Sequence, residues 1–147
     1  MNTIALRFGE HFSPECGTIA AHQEIIDRLG YVWYGKLGAT VNIKVREELQ
    51  KQEHPKILLI NSGKTARYWA NISEISLEQP PADEFPVYYH EKSEKMKTWF
   101  KVISFEIAPK GIMAQCAVAS SGSPLSEASK HSMSPYFKII YNEEVFE

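Results

Sequence analysis

The sequence predicts a domain of the α+β class, built as a small mixed or antiparallel β-barrel with two or three flanking helices. Strand-like apolar segments follow one another closely through most of the chain, which favours antiparallel pairing. Two segments in the first third instead have helical spacing. One strand changes the parity of its apolar residues, as the coiled strands of a small barrel require. The length of 147 residues fits one domain, predicted to span residues 1–147.

The first elements are read from changes in hydrophobic period. Residues 4–8 alternate between apolar and polar or small side chains, which predicts a half-buried strand. Residues 18–29 place their apolar side chains on one helical face. We expect Thr18 to cap this helix at its N-terminus and Gly30 to follow its C-terminus. Residues 31–34 then predict a short strand rich in aromatic side chains.

Residues 42–51 fit two periods. Val41, Val45 and Leu49 repeat every four residues as in a helix, although the first of these positions also alternate as in a strand. We predict a helix, because Asn42 can cap it and the residues that follow have high helix propensity.

The rest of the chain is predicted to be mainly β. Strands are expected at residues 56–60, 68–77, 99–107, 112–119 and 136–141, with a further short one at residues 85–89. The segment at residues 68–77 is the one that changes parity, so a bulge or sharp coil is expected there.

Composition limits the classes of function. The net charge is −2, so there is no general positive field of the kind that many nucleic-acid-binding proteins carry. The two cysteines are too few for a disulfide framework. The start of the chain does not resemble a signal peptide, and the longest apolar run is far too short to span a membrane. We therefore expect a cytoplasmic protein without a membrane association.

No established catalytic motif is found. Residues 61–65 resemble the end of a phosphate-binding P-loop, but Leu58 occupies the position of the required glycine, and a strand follows instead of a helix. The histidines lack metal-binding spacing, so neither a metal nor another cofactor is expected. An enzyme is the less favoured class. Lys36, Lys64 and Glu74 are the only candidates for a nucleophile or base.

Aromatic side chains cluster at or near predicted strand ends, with basic residues close to them in the sequence. The aromatic residues are Trp33, Tyr34, Tyr68, Trp69 and Trp99, and the basic residues are Lys36, Lys64, Arg67 and Lys101. Flat rings at the rim of a small barrel suit the stacking of a nucleotide base, and nearby cations suit its phosphates. The competing interpretation is that these rings fill the core.

The order of these features is similar to the PUA-like superfamily, and within it to EVE-, YTH- and ASCH-type domains. The resemblance is carried by YVWYGK at residues 31–36, KILLINS at 56–62, YWANISEI at 68–75, TWFKVISF at 98–105 and SMSPYFKI at 132–139. The segment at residues 4–29 does not match the usual opening of an EVE domain.

The resemblance implies a barrel that binds RNA or DNA and holds a modified or flipped base in an aromatic cage. By position, it implies that Trp33 and Ser62 line the pocket mouth, that Trp69 and Trp99 form walls, and that Ser132 and Pro135 lie on a closing loop.

Three functions remain open from the sequence. The first is a nucleic-acid-binding module that recognises such a base. The second is a protein-interaction subunit of a defence or toxin–antitoxin system. The third is a small hydrolase acting on a nucleoside-like amide or on RNA. Salt-dependent binding, a stable protein partner and turnover of modified nucleosides would distinguish them.

Overall fold

The structure is a computed structural model, and it describes residues 1–8, 15–61, 65–132, 134 and 136–141. The elements in chain order are β1 Asn2–Phe8, α1 Thr18–Leu29, β2 Val32–Leu37, α2 Ile43–Gln50, β3 Lys56–Asn61, β4 Arg67–Ser76, β5 Met96–Ile107, α3 Ile112–Gln115, β6 Cys116–Val118, α4 Leu125–His131 and β7 Tyr136–Tyr141. Three short 3₁₀ turns lie between β4 and β5, and residues 82–95, which contain them, are called the 3₁₀ segment below.

All seven described strands form one mixed sheet in the order β2-β5-β4-β3-β1-β7-β6. β1 and β3 are parallel, and every other pair of neighbours is antiparallel. The sheet curls strongly. The curl is evident from a contact between strands far apart in the sheet order, where Lys36 Nζ on β2 lies 5.2 Å from the centre of the Tyr136 ring on β7. Among the described residues, however, no hydrogen-bonded ladder joins β2 to β6, so the barrel is not closed. The predicted α+β class with a mixed sheet is confirmed.

β1 is buried on both faces. Ile4 and Leu6 lie in the inner core enclosed by the curled sheet, whereas Ala5 packs in a second cluster on the outer face. The prediction of a half-buried strand is therefore wrong. β1 is an interior strand between β3 and β7. Its outer face is covered as well, because Ala5 packs in one cluster with Ile112 of α3 and Leu125 of α4.

The predicted irregularity in β4 is confirmed. The pairing of β4 with β5 shifts register between Asn71 and Ile72 and again between Ile72 and Glu74. Ala70, Ile72 and Ile75 nevertheless all reach the inner core. The bulge thus bends the strand and keeps its apolar side chains directed inwards after the change of parity.

The two long helices begin differently. α1 has Gly17 as its N-cap, without a side-chain hydrogen bond, so the prediction that Thr18 caps it is wrong. Gly30 ends α1 in a left-handed conformation, and its N–H donates to Ile26 O at 2.7 Å, as predicted. α2 is confirmed as a helix, and its cap Asn42 accepts a hydrogen bond from the N–H of Lys44 at 2.8 Å.

Two predicted strands are corrected. Residues 112–119 contain a helical turn before β6, because Gly111 has a φ of 82° and its carbonyl accepts hydrogen bonds from the two final residues of α3. Residues 85–89 contain a 3₁₀ turn. Pro86 supplies no N–H for a ladder, and its carbonyl accepts a bond from the N–H of Tyr89 at 2.9 Å.

No helix in the described part of the chain is both long enough and apolar enough to cross a membrane.

Candidate functional site

A cavity of about 210 Å³ opens between β1, β2 and the 3₁₀ segment, beside the first turn of α1. Its aromatic lining consists of Phe8, Tyr34, Tyr88 and Tyr89, and its basic lining consists of Arg7, Lys36 and Lys92. At about 30 Å³ per water molecule, the cavity has room for about seven waters. This volume is below that of a drug-sized site and suits a single heteroaromatic ring system.

The aromatic walls are held by packing. The rings of Tyr88 and Tyr89 meet edge to face, with their centres 4.9 Å apart. His22 of α1 lies behind the walls, with its ring centre 5.2 Å from those of both Tyr34 and Tyr89. Tyr34 and Tyr89 are almost fully buried, so their rings present fixed surfaces to the cavity.

His22 is fully buried and neutral at physiological pH. Burial lowers its pKa to about 4, although a hydrogen bond from Nδ1 to the Thr18 carbonyl at 2.7 Å acts in the opposite direction. Because a carbonyl can only accept, the proton lies on Nδ1. Within the described residues, Nε2 has no hydrogen-bond partner. The wall behind the cavity therefore carries a bare acceptor and no charge.

The alternation of β2 places Tyr34 and Lys36 in the cavity. Gly35, between them, faces the opposite side of the sheet, where a Cβ would collide with Met96 Sδ and lie 2.9 Å from Trp99 Cζ3. Only glycine therefore allows β2 to approach this cluster so closely. The close approach fixes the two neighbouring side chains at the cavity.

Lys36 is a buried cation at the cavity edge. Its Nζ donates to the carbonyls of Leu37 at 3.2 Å and Ala39 at 2.8 Å. An ammonium group has three N–H donors, so one donor remains beyond these two bonds. Burial lowers the pKa of Lys36, because the charged form loses hydration there.

Arg7 and Arg67 place two further positive charges close to one another. The guanidinium of Arg7 donates to the carbonyls of Ser129, Ser132 and Ser134, at 2.6, 2.8 and 3.2 Å. It thereby ties β1 to the connection between α4 and β7. Burial lowers the pKa of Arg67, and the charge of Arg7 lowers it further. None of the described residues that line the cavity is acidic, so the cavity is locally positive in a chain of net charge −2.

The N-terminus of α1 adds to this field. Thr18 lines the cavity, Gly17 provides no capping side chain, and the first turn contains no acidic residue. No acidic side chain in this turn therefore offsets the partial positive charge of the helix start.

The structure brings only some of the predicted site residues to the cavity. Tyr34 and Lys36 line it. Trp33 and Trp99 instead lie in a neighbouring buried cluster with Phe85, Tyr89 and Met96, of which Tyr89 and Met96 also reach the cavity. The indole N–H of Trp33 donates to Glu84 Oε1 at 3.2 Å, and Trp99 has no exposed surface.

The predicted residues on β4 also face other surroundings. Trp69 is buried in the outer-face cluster, with its ring centre 4.5 Å from Lys56 Nζ and 5.1 Å from that of Tyr141. Tyr68 is half-buried and lines a neighbouring groove instead of the cavity. Arg67 lies near Arg7 and does not line the cavity.

None of the remaining predicted residues is described as lining the cavity. Ser132 ends α4 and contributes a carbonyl to Arg7, but it does not line the cavity. Ser62, Lys64 and Pro135 lie outside the described residues. Glu74, a candidate base, lies 4.0 Å from Lys101 Nζ, in an open groove near α2.

Sequence reasoning missed Arg7, Phe8, Thr18, Tyr88, Tyr89 and Lys92. The pair Tyr88–Tyr89, with Lys92 three residues later, has the same combination of aromatic and basic residues that drew attention to residues 33–36. The signal was therefore present, but the segment was assigned to a strand.

Comparison with known proteins identifies the family. Neither the curated proteins nor the solved structures contain a match to this chain. A family model described as Pua-like matches residues 4–147, which is nearly the whole sequence. The mixed, curled sheet with flanking helices agrees with that fold. This chain belongs to the PUA-like family.

Proposed function

We propose that the protein binds single-stranded nucleic acid, or an unpaired stretch within a duplex, and holds one flipped or modified base in the cavity. The observation that carries this proposal is the lining itself. Aromatic rings fixed by packing stand beside the cationic side chains of Lys36 and Lys92, without an acidic residue among the described lining positions.

The family supports the same class of ligand, since PUA-like domains generally bind nucleic acid. Stacking of a base on an aromatic side chain contributes about 1–3 kcal/mol, largely without regard to sequence. Tyr34, Tyr88 and Tyr89 offer such surfaces. A cavity of about 210 Å³ cannot admit a base pair, so a base must leave its stack to enter.

The cations divide into two roles. The third donor of Lys36 is suited to a carbonyl or ring nitrogen of the base, because the side chain is already fixed by two carbonyls. Lys92 and the N-terminus of α1 suit the phosphates outside the cavity. Affinity should therefore fall as salt concentration rises.

A methylated base is the favoured form of ligand. Burial of one additional methyl group among the tyrosines adds about 0.8 kcal/mol, or about a fourfold preference. Fluorescence-anisotropy titrations of labelled oligonucleotides should compare single and double strands, with and without methylated bases, at two salt concentrations. We expect saturable, salt-sensitive binding that favours single strands with a methylated base.

Variants make the titration specific to the cavity. Tyr88→Ala should weaken binding about 5–150-fold through lost stacking, and Lys92→Ala should reduce the salt dependence by about one phosphate contact. Lys44→Ala is the matched control, since this lysine is exposed on α2 and does not line the cavity. Flat titrations across the whole panel would refute the proposal.

The hydrolase alternative rests on Lys36, which is the only one of the nominated reactive groups among the described residues that line the cavity. Burial lowers the pKa of Lys36. Turnover of an acylated nucleoside, lost in Lys36→Met, would favour it. The protein-interaction alternative would be favoured by a stable partner that carries no nucleic acid. Both alternatives, the EVE, YTH or ASCH subtype and a cytoplasmic location stay predictions.

A further inference from the structure

A groove of about 550 Å³ lies next to the base cavity, on the other side of the first turn of α1. Phe8 and Thr18 line both spaces, so the two are direct neighbours. The groove is otherwise formed by the last residue of β3, the start of β4 and the end of β5. A strand whose base occupied the cavity would therefore pass over this groove.

Asn61 is the informative residue of the groove. It is the last residue of β3 and is only 8% exposed, and its backbone N–H donates to the Ala66 carbonyl at 3.3 Å. Its side-chain Oδ1 has no hydrogen-bond partner among the described residues. Buried polar groups in native proteins are nearly always hydrogen-bonded. Oδ1 itself has almost no exposed surface, so a ligand in the groove would supply the missing partner once the Asn61 side chain turns towards it.

The walls around Asn61 suit a flat, uncharged ligand. Tyr68, Phe105 and Ile107 come from adjacent positions on one face of the β4–β5 pair, and all three line the groove. The only charged residue among its described lining is Glu15. A carboxylate repels a phosphate, so the groove favours a neutral base, and the phosphate is better placed towards the cationic cavity.

We propose that this groove is a second nucleotide subsite, which binds the base next to the one in the cavity and reads its edge through the Asn61 amide. This inference rests on the proposed function. An amide carries a donor beside an acceptor, and a base edge carries the complementary pair, so two hydrogen bonds can form. The first turn of α1 lies between the two subsites, where the partial positive charge of a helix start suits the linking phosphate.

The experiment uses fluorescein-labelled RNA and DNA hexanucleotides read by fluorescence anisotropy. The base best bound in the cavity is held constant, and each of its neighbours is varied among the four bases. The unmodified protein should bind its preferred neighbour at least about fivefold more tightly than the worst one, as expected for a bidentate contact. Asn61→Ala should reduce this ratio to about twofold or less, and should leave affinity for the worst neighbour unchanged.

Two controls separate recognition from folding. Gln23 is a second amide on the same groove, but its Nε2 already donates to Asp27 Oδ1 at 2.9 Å. Gln23→Ala should keep the preference for a neighbour. Asn61→Ala should melt at the same temperature as the unmodified protein or higher, because it removes a buried polar group that has no partner.

The outcomes distinguish the two proposals. Binding that ignores the neighbouring base, with the same affinity in Asn61→Ala, would overturn the second subsite and leave the cavity proposal standing. Loss of the preference in Gln23→Ala as well would also overturn the assignment to Asn61. No binding of any hexanucleotide would overturn both.

Discussion

Protonation of His22 should control stability in mildly acidic solution. Its pKa is lowered from 6.5 to about 4 in the folded protein, chiefly by burial. As pH falls below 6.5, the unfolded chain binds a proton at this residue and the folded protein does not. The folded state therefore loses stability progressively until the pH reaches about 4. The two pKa values differ by about 2.5, and each pKa unit corresponds to about 1.4 kcal/mol. The free energy of unfolding should therefore fall by about 3 kcal/mol between pH 7 and pH 4 through this residue alone.

Urea unfolding followed by tryptophan fluorescence at pH 7, 6, 5 and 4 measures this effect. Carboxylates also titrate over this range, so the comparison must be with a variant. His22→Phe keeps a ring against Tyr34 and Tyr89, and loses the hydrogen bond to the Thr18 carbonyl, at a cost of about 1 kcal/mol at pH 7. Its free energy of unfolding should then fall by about 3 kcal/mol less than that of the unmodified protein between pH 7 and pH 4.

His54 provides the matched control, since its side chain is 89% exposed. His54→Phe should retain the full pH dependence. The reasoning would be refuted by identical pH dependence in His22→Phe and the unmodified protein, because the lowered pKa of a buried imidazole would then have no effect on folding.

Two further predictions concern the elements that position the site. Gly35→Ala should lower the free energy of unfolding by about 1–3 kcal/mol in urea titrations, because a Cβ would overlap Met96 and Trp99. Unchanged stability would contradict this prediction, since Met96 and Trp99 would then move aside at no energetic cost. Asn42→Ala should cost about 1 kcal/mol through the lost cap of α2, whereas Asn42→Ser should retain most of it. Equal losses in the two Asn42 variants would contradict the capping role.

Local signals in the sequence were sufficient for several elements. The change of parity in β4 has a direct physical cause, since a bulge inserts one residue and reverses the faces that follow. Asn42 capping α2 and Gly30 ending α1 are equally local, because each depends on one residue and the backbone beside it. Such features could be predicted without knowing the neighbours of any strand.

The aromatic site could not be assigned in this way. Trp69 and Trp99 lie in strands covered on both faces, so alternation alone does not show which face encloses a cavity. The cavity combines Arg7, Tyr34 and Tyr88, which are far apart in the sequence and meet only because the sheet curls. Of the predicted aromatic residues, Tyr34 lines the cavity and the three tryptophans do not, and their roles stay predictions.

Unpaired buried polar atoms offer a common physical explanation for the two proposed subsites. Among the described residues they include His22 Nε2 behind the cavity, Asn61 Oδ1 in the groove and Trp99 Nε1 in the cluster that backs Tyr89. Gln115 Oε1 on α3 is an exception, since it lies elsewhere. Each buried polar atom without a hydrogen-bond partner lowers the stability of the fold by about 1–3 kcal/mol. Such exceptions to hydrogen-bond pairing are found preferentially at functional sites. His22 Nε2 lies on α1, and Asn61 lines a groove with the first turn of that helix. These two atoms support a binding site there, because a ligand that reached Asn61 would recover part of the stability that the empty protein lacks.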